Sequence, residues 1–589
     1  MRRPRPLIAG SAVLLALLAG CSSSSGSAGS GSDSDSSSTT TDDGTTVTDV
    51  AAGSTAEEVL AANMTVHDAA DDEAGSETAT ITLDGDSASS DSDAVSVDGS
   101  TVTITAGGTY TISGTLDDGQ VIVDAGDDDV VRIVLDGADI SSSTTAALAV
   151  LNASSAVVEL ADGSESSLSD TTAYADSDEA TGALYSSADL TITGDGSLTV
   201  AGNANDGIVG KDGLVIDSGT ITVTAVDDGI RGKDYLVVNG GAITVTAGGD
   251  GLKSDNDSDS TAGFVHLADG DVEITSDGDG VQAETDVVVT GGSLTVEAGG
   301  GAGATLTDDT SAKGVKGQAS VVVDDGDLTI DAADDALHSN GIITLTDGDL
   351  SLASGDDGVH ADVALDITGG TVTVSESYEG LEAEAITLAG GEIDVTASDD
   401  GLNAASSATG STEDENGDWG GPQGETSGSA TLTITGGTVT VDAGGDGLDA
   451  NGSMTMSGGT VTVSGPTDNG NGALDVDSTL SVTGGTLIAA GSSGMLVVPG
   501  TDGQGWVSAT FDSSQEAGTV IEVVASDGTV VASYTAVKDV ANVVVSQESI
   551  VLGDTYTVTA DGTEVLTVTA GESSGSSSMG GGGQGGGRP

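Results

Sequence analysis

The chain of 589 residues has one cysteine, six prolines, two Trp, seven Tyr, two Phe and twelve Lys+Arg, and each shortage excludes something. A single thiol builds no disulfide framework. So few rings cannot furnish an aromatic core, so small and β-branched side chains must fill the interior. Twelve basic residues against 96 acidic ones leave a net charge of -84. No surface could then neutralise phosphates, which excludes a nucleic-acid binder. Beyond the N-terminus no apolar run approaches the length of a membrane-spanning helix. What is abundant is glycine, 92 residues, and aspartate, 73 of the acids against 23 Glu. At 36% hydrophobic the chain is too apolar for full disorder, and its Asp excess predicts many turns and little helix.

Arg2, Arg3 and Arg5 precede an apolar run over residues 7–18, which meets Leu18-Ala19-Gly20-Cys21. This resembles a bacterial lipoprotein signal, too short to span a bilayer and with small residues before the cysteine. A plain secretory signal is the alternative. The expectation is a signal peptide over 1–20, lipid on Cys21, and an extracytoplasmic protein whose sole membrane contact is that lipid. Residues 21–63, rich in Ser, Gly and Asp, read as a disordered tether, and 571–589 as a disordered Gly-rich tail.

Between them the chain repeats. One half of the unit reads G-G-x-[IVL]-x-[VIL], as in Gly240-Gly241-Ala242-Ile243-Thr244-Val245 and Gly369-Gly370-Thr371-Val372-Thr373-Val374. The other half is a turn such as Asp228-Gly229-Ile230-Arg231-Gly232 or Asp400-Gly401-Leu402-Asn403-Ala404. Alternation of apolar and polar residues between Gly and Asp marks strands with one buried face. Turn glycines recur every 22 residues at Gly207, Gly229 and Gly251, a unit too small to bury its own apolar face, so it must stack on copies of itself. With no helices to make crossovers, the compact solution is an all-β parallel β-helix over 64–490, about 22 residues per coil. Spacing breaks at 254–263, 299–312 and 405–429 read as loops, the last as an insertion. The strands after residue 491 read as a small β cap over 491–570 that covers the open end of the rod.

The runs Asp228-Gly229-Ile230-Arg231-Gly232-Lys233, Asp334-Asp335-Ala336-Leu337-His338-Ser339-Asn340-Gly341, Gly355-Asp356-Asp357-Gly358-Val359-His360-Ala361 and Ser377-Tyr378-Glu379-Gly380-Leu381-Glu382-Ala383 resemble the bacterial carbohydrate-binding β-helix family. The resemblance implies a pectate-lyase-like right-handed parallel β-helix, bound calcium, and binding of plant-type polysaccharides, acidic ones such as polygalacturonate in particular. It does not imply catalysis.

Stacking aligns the residue two after each turn glycine into one column: Arg231, Lys253, Gln282, Lys316, His338, His360, Glu382 and Asn403. Arg231, Lys253, Lys316, His338, His360 and Glu382 are the candidate carbohydrate-binding residues, a basic strip on which successive uronate carboxylates would meet cations. The same cations equally read as counter-charge for the neighbouring Asp column. That column, stacked at about 4.8 Å, repels itself by about 1 kcal/mol per pair in water. Paired acids in its turns, Asp227-Asp228, Asp334-Asp335, Asp356-Asp357 and Asp399-Asp400, with Asp250, offer hard oxygens of the kind calcium takes. Asp side chains capping turn amides are the plainer explanation of the same residues. A pectin-type lyase or hydrolase and a rigid surface spacer or adhesin remain alternatives. No catalytic set stands out, because every coil carries the candidate acids. The partner expected is an acidic polysaccharide, the protein a monomer.

Overall fold

The computed structural model describes residues 50–69, 74–175, 177–307, 310–406 and 428–573. Cys21, the tether up to residue 49, most of the insertion and the Gly-rich tail from 574 lie outside them.

Fifty strands and one α-helix, Ala56–Ala62, make up the regular structure of the described residues. The strands recur in threes. Asp206–Gly210, Gly213–Ile216 and Thr220–Ala225 each pair in parallel with a counterpart one unit later, Ile230–Gly232, Tyr235–Val238 and Ala242–Ala247. Continued along the chain, these pairings make three parallel ladders, consistent with a solenoid. Asp228 and Asp250, one step apart, are separated by 22 residues. The step widens to 29 from Asp250 to Asp279, 34 from Asp279 to Lys313 and 46 from Asp400 to Asp446. Those are the three places where the expected loops fall; residues 407–427 of the insertion lie outside the described residues.

Residues of all three ladders, for example Ile208, Leu236, Val245 and Leu328, join one continuous apolar cluster. It is built of Val, Ile, Leu and Ala, as the scarcity of rings requires. Third-ladder strands alternate strictly, exposed Thr or Asp against buried Val or Ile. The turn glycines permit the close stacking: a Cβ on Gly229 would sit 2.6 Å from the Gly251 carbonyl oxygen and 2.3 Å from Val245 Cγ1.

The second ladder departs from alternation, and the reason corrects one expectation. Strands from Gly213–Ile216 to Ile342–Leu345 bury nearly every residue, while Thr431–Ile434 returns to a half-exposed pattern. The tether does not stay unstructured to residue 63. Thr55 and Glu58 cap the Ala56–Ala62 helix reciprocally, and its Ala56 and Val59 pack on Val288 and Val322. Leu60, Met64 and Val66 then cover Val215, Tyr235, Val237 and Phe264. Asp324 Oδ2 accepts from the Ala56 amide, Asp286 Oδ2 from Asn63, and the Tyr235 hydroxyl from the His67 amide. Seven residues are too few for a stable helix alone; the apolar wall beneath supplies the burial that holds it. Spacing-based reading of the repeat could not see this, because the strap is not part of the repeat.

At the far end, strand Thr486–Gly491 of the third ladder meets Val540–Ser546 antiparallel, and that strand pairs with Trp506–Gln515. A separate four-stranded sheet follows, formed by Val520–Val524, Val530–Thr535, Thr555–Ala560 and Thr563–Thr569. An antiparallel strand laid on the last parallel one ends the third ladder and covers that edge.

Candidate functional site

Most first-ladder turns place an acidic residue before the turn glycine and a polar one two residues after that glycine, as in Asp228-Gly229-Ile230-Arg231. The register confirms the polar column: Arg231 pairs with Lys253, Lys253 with Gln282, Gln282 with Lys316, Lys316 with His338, His338 with His360, His360 with Glu382 and Glu382 with Asn403. Asp449 and Asp475 continue it.

The acid column has a structural task. The Asp228 amide donates to Asp206 Oδ1 at 3.3 Å, Asp250 to Asp228 at 3.0 Å, Asp279 to Asp250 at 2.8 Å, Lys313 to Asp279 at 2.8 Å and Asp357 to Asp335 at 3.0 Å. One carboxylate oxygen of each acid thus clips its coil to the next. Burial of Asp206, Asp228, Asp279 and Asp335 goes with that. Capping of turn amides therefore accounts for one oxygen of these side chains.

The other oxygen faces the cation column. Arg231 bridges Asp206 (3.4 Å) and Asp255, Lys253 bridges Asp250 (2.7 Å) and Asp228 (3.2 Å), and Lys316 lies 3.6 Å from Asp279. His338 Nδ1 sits 2.7 Å from Asp335 Oδ2, and His360 Nδ1 2.7 Å from Asp357 Oδ2. Burial opposes the charges of Arg231 and Lys253, yet Asp255 and Asp206 for one, and Asp250 and Asp228 for the other, hold both above their ordinary values. Burial also pushes Asp206 up to about 6, helped by Asp228. Asp335 goes the other way: despite burial, the His338 hydrogen bond and Lys313 keep its carboxyl well below the usual range. His360, against its burial, is raised to about 12 by hydrogen bonds to Asp357, Asp362 and Glu382. The cations of the strip are thus counter-charges to the acid column, and Arg231, Lys253 and Lys316 each keep about a quarter of the side chain exposed.

Spacing missed that Lys313 stands within the acid column, where it bonds Asp334 at 2.9 Å and Asp335 at 2.7 Å. The signal was Lys313-Gly314, a turn glycine with Lys where Asp stands elsewhere. Also missed was the change of sign beyond Glu382. There the column pairs are Glu379 with Glu382, Asp400 with Asn403 and Asp446 with Asp449, and no Lys or Arg ion pair reaches these acids among the described residues. Burial, then neighbouring carboxylates, raises Glu379 to about 7, Asp400 to about 6 and Asp449 to about 8. Asn403, 8% exposed, donates to Glu379 Oε2 at 2.8 Å and leaves its buried Oδ1 without a partner.

As calcium ligands, the predicted acids separate. Asp206, Asp227 and Asp228 converge within 4.8 Å, as do Asp334, Asp335 and Asp356. In both groups, however, the column acid already gives its oxygens to amides, Lys or His. Asp400 and Asp446 likewise give one oxygen each to an amide, of Asp446 and of Gly472, but no Lys or Arg among the described residues pairs with Asp399, Asp400, Asp446 or Asp449, and the buried Asn403 Oδ1 beside them has no partner.

Residues 98–358 match a family model described as carbohydrate-binding domain-containing protein. A carbohydrate-binding domain-containing protein of Acetivibrio thermocellus is 41% identical over 128 residues, 21% of this chain and 45% of that protein. The chain thus spans less than half the length of this curated relative. Among solved structures, one described as the polysaccharide lyase-like protein from C. thermocellum, gadolinium derivative, is 30% identical over 46% of this chain and 97% of its own, with a TM-score of 0.38. The family match includes Arg231, Lys253, Lys316 and His338 and stops short of His360 and the acid-only segment.

Proposed function

We propose that this chain is a carbohydrate-binding protein, proceeding from the family match over residues 98–358, and that its ligand is an acidic polysaccharide of the polygalacturonate kind. The observation that carries the reading is the in-register column from Arg231 through Lys253 and Lys316 to His338 and His360. Five steps at about 4.8 Å give a strip of about 24 Å along the rod. An extended uronate polymer laid on it competes with the column Asp residues for cations that are about a quarter exposed, trading one carboxylate partner for another. Glu382 marks its acidic end. Three parallel ladders around one core support placing this strip on a right-handed parallel β-helix of about 22 residues per coil.

Calcium belongs to the acid-only end in this reading, on Asp399, Asp400, Asp446 and Asp449 with the Asn403 carbonyl, where an ion would relieve the repulsion and present open coordination positions to a polymer carboxylate. Lipid on Cys21 would hold the protein, as a monomer, on the outer face of a membrane.

The test is affinity for polygalacturonate at two salt concentrations. Arg231→Gln, Lys253→Gln and Lys316→Gln together should weaken binding and flatten its salt dependence. Glutamine is the correct replacement because Gln282 already stands in this column. Unchanged affinity and salt slope would move the site elsewhere, and shortened or unsaturated products would make the protein an enzyme.

A further inference from the structure

His338 and His360 are register partners on adjacent coils, with rings stacked 5.1 Å apart at 29°. Elsewhere this column uses Arg, Lys, Gln, Glu, Asn or Asp; here two coils in succession place imidazoles, which alone among these side chains offer a nitrogen lone pair. Each ring is steered by the acid three residues earlier, Asp335 or Asp357, at 2.7 Å. Around them stand Asp362, 3.3 Å from His360 Nε2, and Glu382, 3.2 Å from His360 Nδ1. One ligand atom each from Asp335, His338 and His360 lies within 4.8 Å of the others, and the same holds for Asp357, His360 and Glu382. Four carboxylates surround the pair, and Lys313 is the one Lys or Arg paired with any of them among the described residues. The side chains of His338, His360 and Glu382 are 12%, 19% and 20% exposed, so the cluster is sheltered without being sealed from solvent.

We infer that His338, His360, Asp335 and Glu382 form a binding site for one borderline divalent transition-metal ion, of which zinc is the type, the ion competing with Lys313 and His338 for Asp335 Oδ2. Two imidazoles with two carboxylates select such an ion over calcium or magnesium, which prefer oxygen alone. A ring that gives one nitrogen to the ion keeps a carboxylate on the other: His360 has Asp357 and Asp362 on opposite nitrogens, the arrangement that orients metal-bound histidines. The ion would tie two adjacent coils at the junction between the cation-bearing and acid-only segments. The site shares His338, His360 and Glu382 with the proposed polymer strip, so its test reads metal uptake directly and its failure leaves the affinity test on Arg231, Lys253 and Lys316 standing.

The experiment is calorimetric titration of the untagged, chelator-treated full chain with zinc in the presence of excess calcium, together with the visible spectrum of the cobalt(II) form. One equivalent of zinc should bind, calcium should not displace it, and cobalt should give intense bands of a four-coordinate nitrogen-containing site. His338→Gln and His360→Gln should each weaken zinc at least about tenfold, while His266→Gln, bonded to Thr290 on the second ladder, should not. Should a histidine variant fail to fold, Glu382→Gln at the exposed side serves as the second variant, with a smaller loss in the same direction. Absence of zinc uptake by the natural chain, equal uptake by the folded His338, His360 or Glu382 variants, or displacement by calcium would overturn the inference.

Discussion

Asp449→Asn tests the electrostatic account of the acid-only segment. Asp449 follows Asn403 in the polar column, and burial with Asp400, Asp475, Asp446 and Asp477 lifts its carboxyl from 3.8 to about 8. Because the folded value is raised, the native state holds a proton that the unfolded chain has released above pH 4, so the native state binds more protons and stability falls as pH rises. The loss begins near the unfolded value, grows to about pH 8 and then levels off. At pH 7 holding that proton costs about 4 kcal/mol as an upper figure, or about 2 kcal/mol after allowance for its partial exposure. Asparagine keeps the shape and removes the ionisation. In thermal and urea melts with chelator present, the variant should be more stable than the natural chain by about 2 kcal/mol at pH 8, a rise of a few degrees in Tm, and equal to it at pH 4. The natural chain should itself melt higher at pH 5 than at pH 8. A pH-independent difference, or greater stability of the natural chain at pH 8, would refute the reasoning.

Other expectations follow from the same geometry. Gly229→Ala drives a methyl group into the Gly251 carbonyl and Val245 and should cost about 3 kcal/mol in urea melts, whereas Gly303→Ala, with open space around it, should stay within about 0.5 kcal/mol. Val59→Asp should undock the strap, read as new protease cleavage near residues 50–68 and faster hydrogen exchange in the strands around Val288 and Val322, with the third ladder unaffected. Cys21→Ser should move the protein out of the membrane fraction if the thiol carries the anchor, and membrane association that survives the change would end that reading.

The repeat was legible because strand alternation and the turn glycine are written in every unit, and stacking then dictates which residues align. The eight-residue column from Arg231 to Asn403 could be read from spacing alone, across loops of unequal length, since each loop leaves the turn intact. The strap over the second ladder was not legible. Its apolar residues Val59, Leu60 and Val66 are few and set in Ser- and Asp-rich surroundings, and only the outward-facing apolar wall of Val215, Val237, Val288 and Val322, which the strap buries, gives them a place. For the Asp oxygens the sequence offered amide capping and calcium side by side, and it took the structure to show amides of the next coil on one oxygen.

By itself, then, the amino-acid order determined the β class, the unit of 22 residues, the aligned columns and the excess of negative charge, because these depend on local periodicity and counting. Tertiary structure alone decided that Asp Oδ1 atoms clip successive coils, that Lys313 interrupts the acid column, that the cations of the strip are already paired, and that no Lys or Arg among the described residues pairs with Asp400, Asp446 or Asp449. Hydrogen bonds and ion pairs between coils join residues more than twenty positions apart, and their partners are set by distances of 3 Å that no periodicity encodes.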